Sequence, residues 1–90
     1  MDKIIELEKC YKALANRRRL TILKYIKKVN KASVGQIAKE LKLTLKATSR
    51  HLSQLSGVDG LEKEQQGLKV FYSLNKQSSG IINHLLKNEF

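Results

Sequence analysis

Residues 34–55 read VGQIAKELKLTLKATSRHLSQL, and they divide into two short amphipathic segments joined at a tight turn. In the first, Val34, Ile37, Ala38 and Leu41 recur at helical spacing. Ser33 stands before it as an N-cap, and Gln36 falls three residues after that cap, which is the spacing of a capping box. Lys42 and Leu43 supply the turn, Thr44 caps the second segment and Gly57 ends it. The second segment carries an apolar stripe of Leu45, Leu52, Leu55 and the methyl of Thr48. Another stripe holds Lys46, Ser49, Arg50 and Ser53, with His51 close by. Lys42 occupies a position where many such turns carry glycine, which predicts a strained or lengthened turn.

Working outward, "DKIIELEKCYKALA" places Ile4, Leu7, Tyr11 and Leu14 on one stripe, with Asp2 as cap. Asn16 can cap a second helix, "RRRLTILKYIKKV", whose broad face of Leu20, Ile22, Leu23, Ile26 and Val29 predicts a place near the centre of the core. "NKAS" reads as a loop. After Gly57 the period shortens to two: Val70, Tyr72 and Leu74 alternate with Phe71 and Ser73. Residues 61–65 and 69–74 around Gln66-Gly67 therefore read as a two-stranded hairpin. Finally, "SSGIINHLLKNEF" offers Ile81, Ile82, Leu85 and Leu86 as the apolar face of a last helix. The predicted fold is mainly α with a small β-hairpin, in the order α1-α2-α3-α4-hairpin-α5, within one domain over 1–90. That is the order of a winged helix-turn-helix.

Composition narrows the function. Eighteen Lys and Arg against eight Asp and Glu leave a formal charge of +10 on 90 residues. A small domain with that excess repels itself, and a polyanion relieves the repulsion; nucleic acid is the usual partner and an anionic membrane surface the next. No apolar run approaches the length of a membrane span and the N-terminus lacks a signal-peptide core, so a cytoplasmic location is expected. No paired carboxylates, glycine-rich phosphate loop or nucleophile–base pair appears, so the chain is not expected to be an enzyme.

In a helix-turn-helix the exposed early positions of the second helix enter the major groove of double-stranded DNA. Here these are Thr44, Leu45, Lys46, Ser49, Arg50 and Ser53. Lys and Arg match guanine O6 and N7, hydroxyls serve base or phosphate, and Leu45 suits a thymine methyl. The helix-turn-helix needs a small residue where its helices cross, and Ala38 supplies one. Arg17, Arg18 and Arg19 open the second helix, where three cations oppose the helix dipole. Arg17 and Arg18 are expected to contact phosphates beside the groove.

Three blocks, "KALANRRRLTIL", "ATSRHLSQL" and "GLEKEQQGLKVFYSL", resemble the signature blocks of ArsR-type winged-helix repressors, in the same order over about residues 11–75. The resemblance implies a homodimer in which first and last helices pair, here residues 2–15 and 77–89. Its contact residues would be Ile4, Leu7, Tyr11, Ile81, Ile82, Leu85 and Leu86. It adds His51 to the groove-facing set and assigns Lys63 to Lys69 to the wing, with Lys63, Gln66 and Lys69 as contacts. It also implies that Arg19 packs or pairs within the fold.

Departures from the family bear on what is sensed. Metal-sensing members carry a cysteine pair in the third helix, whereas "SVGQIAKEL" has none. The last helix offers only His84 and Glu89, at a spacing that does not put them on one face and short of a full ligand set. Neither a metal nor another cofactor is therefore expected. Cys10 sits beside the first helix's dimerising stripe, where it is either inert packing or a redox switch. The alternatives to a DNA-binding repressor are a protein-docking winged helix and a redox- or ligand-responsive sensor of the same fold.

Overall fold

Each of the four expected caps is built by a side-chain oxygen. In the computed structural model, which describes residues 2–77 and 80–90, Asp2 starts α1 (Lys3–Leu14) and Asn16 starts α2 (Arg17–Val29). Ser33 starts α3 (Val34–Leu41) with both halves of the capping box: its Oγ accepts from Gln36 N at 3.2 Å, and Gln36 Oε1 accepts from Ser33 N at 2.8 Å. Thr44 Oγ1 accepts from Ala47 N at 3.0 Å to start α4 (Leu45–Ser56). Such caps satisfy orphan amides of the first turn and are worth about 1 kcal/mol each.

The segment "NKAS", expected as a loop, instead contains a short strand, β1 (Lys31–Ser33). It pairs antiparallel with β3 (Lys69–Leu74), Ala32 opposite Tyr72, and β3 pairs on its other side with β2 (Leu61–Gln66). The sheet order is thus β1-β3-β2. Three residues are too few to show a period, so only the partner strand reveals this one. The hairpin also differs by a residue from expectation. Gln66 belongs to β2 and pairs with Lys69, leaving Gly67 and Leu68 as the turn. Gly67 has φ of +63°, which a two-residue hairpin turn favours at its first position.

Helix α2 lies at the centre, as its broad face predicts. Ile22, Leu23 and Ile26 are fully buried against Ile37 of α3, Leu52 and Leu55 of α4, and Ala32 of β1. Val29, expected on the same face, is exposed at the helix end. Helix α5 (Gly80–Asn88) closes the core with Ile82 and Leu86. Residues 78 and 79, part of the expected 77–89 helix, lie outside the described residues. Lys27 of α2 holds the end of α5, its Nζ donating to the carbonyls of Leu86 and Phe90. A cation at that end also suits the helix dipole.

Gly57 follows α4 but stays in the right-handed region; Asp59, with φ of 58°, makes the reversal. The chain then passes so close to α4 that a Cβ on Gly60 would lie 3.1 Å from the Leu55 carbonyl oxygen. That close approach sets β2 beside α4.

Candidate nucleic-acid interface

Helix α4 has one face anchored and one face free. Thr48, Leu52 and Leu55 are fully buried, and the Thr48 hydroxyl is accounted for by donating to the Thr44 carbonyl at 2.8 Å. At 3.6 residues per turn, the face opposite this anchor holds Lys46, Arg50 and Ser53, all exposed. Leu45 and Ser49 form the flank toward the hairpin, also exposed, so Leu45 leaves the apolar stripe and joins the open edge. Thr44 is exposed at the cap.

Between the start of α3, the start of α4 and the hairpin runs a cleft of about 620 Å³. Lys39, Leu45, Ser49, Leu68 and Lys69 line it. Lys39 and Leu68 were not singled out from the sequence. Lys39 is legible as the exposed cation in the last turn of α3, but Leu68 only once the hairpin register puts it at the tip. There it is fully exposed.

Strand β2 separates its own charges by face, because successive strand side chains point to opposite sides, whereas Lys69 of β3, opposite Gln66, shares the face of Glu62 and Glu64. Glu62 and Glu64 share one face of β2, and Lys63 lies on the other. Lys31 reaches across to Glu64 at 3.1 Å and lies 5.5 Å from the centre of the Phe71 ring. This contact, with help from Gln66, holds the Glu64 carboxyl below its ordinary pKa. The strand alternation also puts Lys63 and Gln66 on opposite faces, both exposed, so the expected wing set is not one surface. Among the described residues, ion pairs join Lys12 to Glu8 and Lys31 to Glu64. Lys46, Arg50, Lys63 and Lys69 take part in neither, and their charges face solvent.

On the flank of α4 away from the hairpin, His51 does not join the open edge. It is half-buried, and its Nδ1 lies 3.4 Å from Arg19 Nη1. Burial first, then the charges of Arg19, Arg18 and Arg50, push its imidazole below the ordinary pKa. Arg19 also donates from Nε to the Ala13 carbonyl and from Nη2 to that of Lys12 at 3.0 Å. It is an internal strut, as expected, while Arg17 and Arg18 are exposed beside it.

Helices α1 and α5 expose apolar side chains. Ile4 and Tyr11 of α1 are 73% and 58% exposed, and Tyr11, Leu14, Leu20, Ile81 and Leu85 border a groove of about 560 Å³ between α1 and α5. Ile82 and Leu86, expected to meet a partner, are instead buried in the protomer's own core. Helix packing inside the chain takes that face of α5 and leaves Ile81 and Leu85 half-exposed. His84 and Glu89 both border the same groove, despite their spacing. They are two donors where a zinc site takes three or four, and among the described residues no group of three His, Cys, Asp or Glu stands together. Cys10 is 6% exposed within the core, in the setting of an unreactive thiol. No helix among the described residues is long and apolar enough to cross a membrane.

An anchored helix with an open basic edge, preceded by a capped partner helix and followed by a β-hairpin, defines a winged helix-turn-helix domain of the kind that binds DNA. Comparison with known proteins places it further. Residues 16–59 match the family described as bacterial regulatory protein, arsR family. The transcriptional repressor PagR of Bacillus anthracis is 36% identical over 75 residues, covering 82% of this chain and 75% of PagR. Its crystal structure superposes with a TM-score of 0.78 over 98% of this chain and 97% of PagR, at 27% identity. HlyU from Vibrio cholerae superposes with a TM-score of 0.80 and 30% identity over 96% of this chain and 89% of HlyU. The homodimeric winged helix-turn-helix DNA-binding domain of a Mycobacterium bovis protein gives 0.80 and 25%, over 93% of this chain and 74% of that one. The chain belongs to the arsR family of bacterial regulatory proteins. It is a transcriptional regulator with a winged helix-turn-helix fold, and not an enzyme.

Proposed function

We propose that the protein is a cytoplasmic, dimeric repressor that binds double-stranded DNA sequence-specifically. The observation that carries this reading is the build of α4: a fully buried anchor of Thr48, Leu52 and Leu55 beneath an exposed edge of Lys46, Ser49, Arg50 and Ser53. A rigid helix of this kind presents side chains to base edges without losing much of their freedom on binding. Thr44, Leu45, Lys46, Ser49, Arg50 and Ser53 read the major groove, with Arg50 suited to a guanine. Arg17, Arg18 and Lys69 hold phosphates, and Lys63, Gln66 and Leu68 meet the backbone or minor groove. Supporting the repressor and dimer assignments are PagR, a repressor, and the homodimeric Mycobacterium bovis domain. In a dimer, Ile4, Leu7, Tyr11, Ile81 and Leu85 would be covered by the same residues of a second copy, and two α4 helices would enter successive major grooves.

Selection from a random duplex pool tests the reading, because preferred half-sites and their spacing report both sequence reading and dimer geometry. On the selected duplex, Arg50→Ala is expected to lose about 1–3 kcal/mol and to relax preference at one base pair, while Lys69→Ala weakens selected and scrambled duplexes alike. Equal losses on both duplexes for Arg50→Ala sink the base-reading role. Absence of binding to any duplex at low salt favours a protein-docking module instead.

A further inference from the structure

We propose that Arg19 and His51 form a latch that positions the recognition helix, so that specific DNA binding requires a neutral His51. This rests on the DNA-reading role proposed for α4. Arg19 bridges two elements. Its Nε and Nη2 donate to the carbonyls of Ala13 and Lys12 at the end of α1, and its Nη1 faces His51 Nδ1 on α4. The last carbonyls of a helix lack partners within it, so the guanidinium caps α1 and reaches α4 with a remaining N–H.

Chemistry then fixes the state of the imidazole. A guanidinium nitrogen only donates and does not lose its proton. Its partner must therefore be an acceptor, which requires a lone pair on Nδ1 and the proton on Nε2. An imidazolium has a donor on both nitrogens, so protonation sets donor against donor and cation against cation. The groups facing His51 reinforce this: Arg19 and Arg18 from α2 and Arg50 from α4 itself are all cationic, while α1 contributes carbonyls already engaged by Arg19. Burial and these charges hold the imidazole below its ordinary pKa.

His51 lies between Arg50 on the open edge and Leu52 in the core. Repulsion between His51 and Arg19 acts on that flank of α4 and tilts the edge that Arg50 and Lys46 share. Base-edge hydrogen bonds are sensitive to such a displacement, whereas phosphate attraction is not. Acid therefore lowers the ratio of specific to non-specific affinity. The ratio is the right quantity, because nearby phosphates ease protonation of His51 in both complexes and cancel from it.

The test measures fluorescence anisotropy on the duplex selected from a random pool and on its scrambled counterpart, from pH 5 to 8 at fixed ionic strength. For the wild type the ratio is expected to fall about tenfold on the acid side. In His51→Asn, Oδ1 stands where Nδ1 stands, accepts from Arg19 and does not titrate, so the ratio is expected to hold its neutral-pH level throughout. In His51→Ala it is expected to be low at every pH. A wild-type ratio that is flat with pH, or an Asn variant as impaired as the Ala variant at pH 7.5, overturns the latch. Nitrogen-15 NMR of the free protein is an independent arm: a His51 ring in the Nδ1–H tautomer overturns it whatever the DNA result. A pool that yields no preferred duplex overturns the sequence-reading role alone, and the tautomer then decides the latch.

Discussion

Lys42 is the residue at which the turn between α3 and α4 departs from what its chemistry favours, and replacing it with glycine is expected to stabilise the fold. Lys42 caps α3 with φ of 56° and ψ of 46°, squarely in the left-handed region. An L-residue there bears about 1–2 kcal/mol from the Cβ-to-carbonyl clash. Glycine removes the clash but loses more backbone freedom on folding, about 0.5–1 kcal/mol. The hydrogen bonds of the turn survive, since both are backbone: Lys42 N to Lys39 O at 3.3 Å and Leu43 N to Ala38 O at 2.9 Å. The balance is a gain of about 0.5–1 kcal/mol for Lys42→Gly, or roughly 2–8 °C in Tm for a domain this size. Chemical denaturation read by circular dichroism measures it. Removing one charge from a chain at +10 also relieves self-repulsion, so Lys42→Ala is the control: it loses the same charge and keeps the strained backbone. If Lys42→Ala stabilises as much as Lys42→Gly, or if Lys42→Gly lowers the midpoint, backbone strain is not what Lys42 contributes.

Leu52→Ala empties part of the fully buried anchor of α4; a loss of about 3–5 kcal/mol in urea unfolding is expected, and a loss under 1 kcal/mol shows that the anchor does not support the helix. Leu85→Asp puts a carboxylate into the groove between α1 and α5; sedimentation is expected to show a dimer for the wild type and a monomer for the variant, with folding intact by circular dichroism. Affinity for the selected duplex should fall about 10³–10⁵-fold between 50 and 200 mM salt if each dimer neutralises 6–10 phosphates; a flat salt response excludes backbone contacts as its main source.

Much of the helical framework was legible because helix starts are local. Asp2, Asn16, Ser33 and Thr44 each bond an amide within three residues, so the cap and the helix are written in the same few letters. The polar edge of α4 was legible for the same reason: helical period alone separates Lys46, Ser49, Arg50 and Ser53 from the buried Thr48, Leu52 and Leu55. The misses are non-local. β1 exists because Lys31–Ser33 meets β3 some forty positions later. Leu68 reaches the tip because Gln66 pairs with Lys69, one residue beyond the expected register. Ile82 and Leu86 face inward because α5 packs on Ile22, Ile26 and their neighbours, and a stripe of apolar letters carries no sign saying which surface will cover it.

His51 shows the division most plainly. Beside Arg50 in "SRHL", it reads as one more polar residue of a basic helix. In the folded chain Arg19, thirty-two positions earlier, takes its Nδ1, and the same arginine caps α1. By itself, then, the sequence determined the helices, the helix-turn-helix spacing and the basic edge, since periodicity, caps and net charge act over a few residues or sum over all of them. The tertiary structure decided which of those polar groups stay free and which are claimed inside the protein, because a hydrogen-bond partner far away in sequence has no local signature.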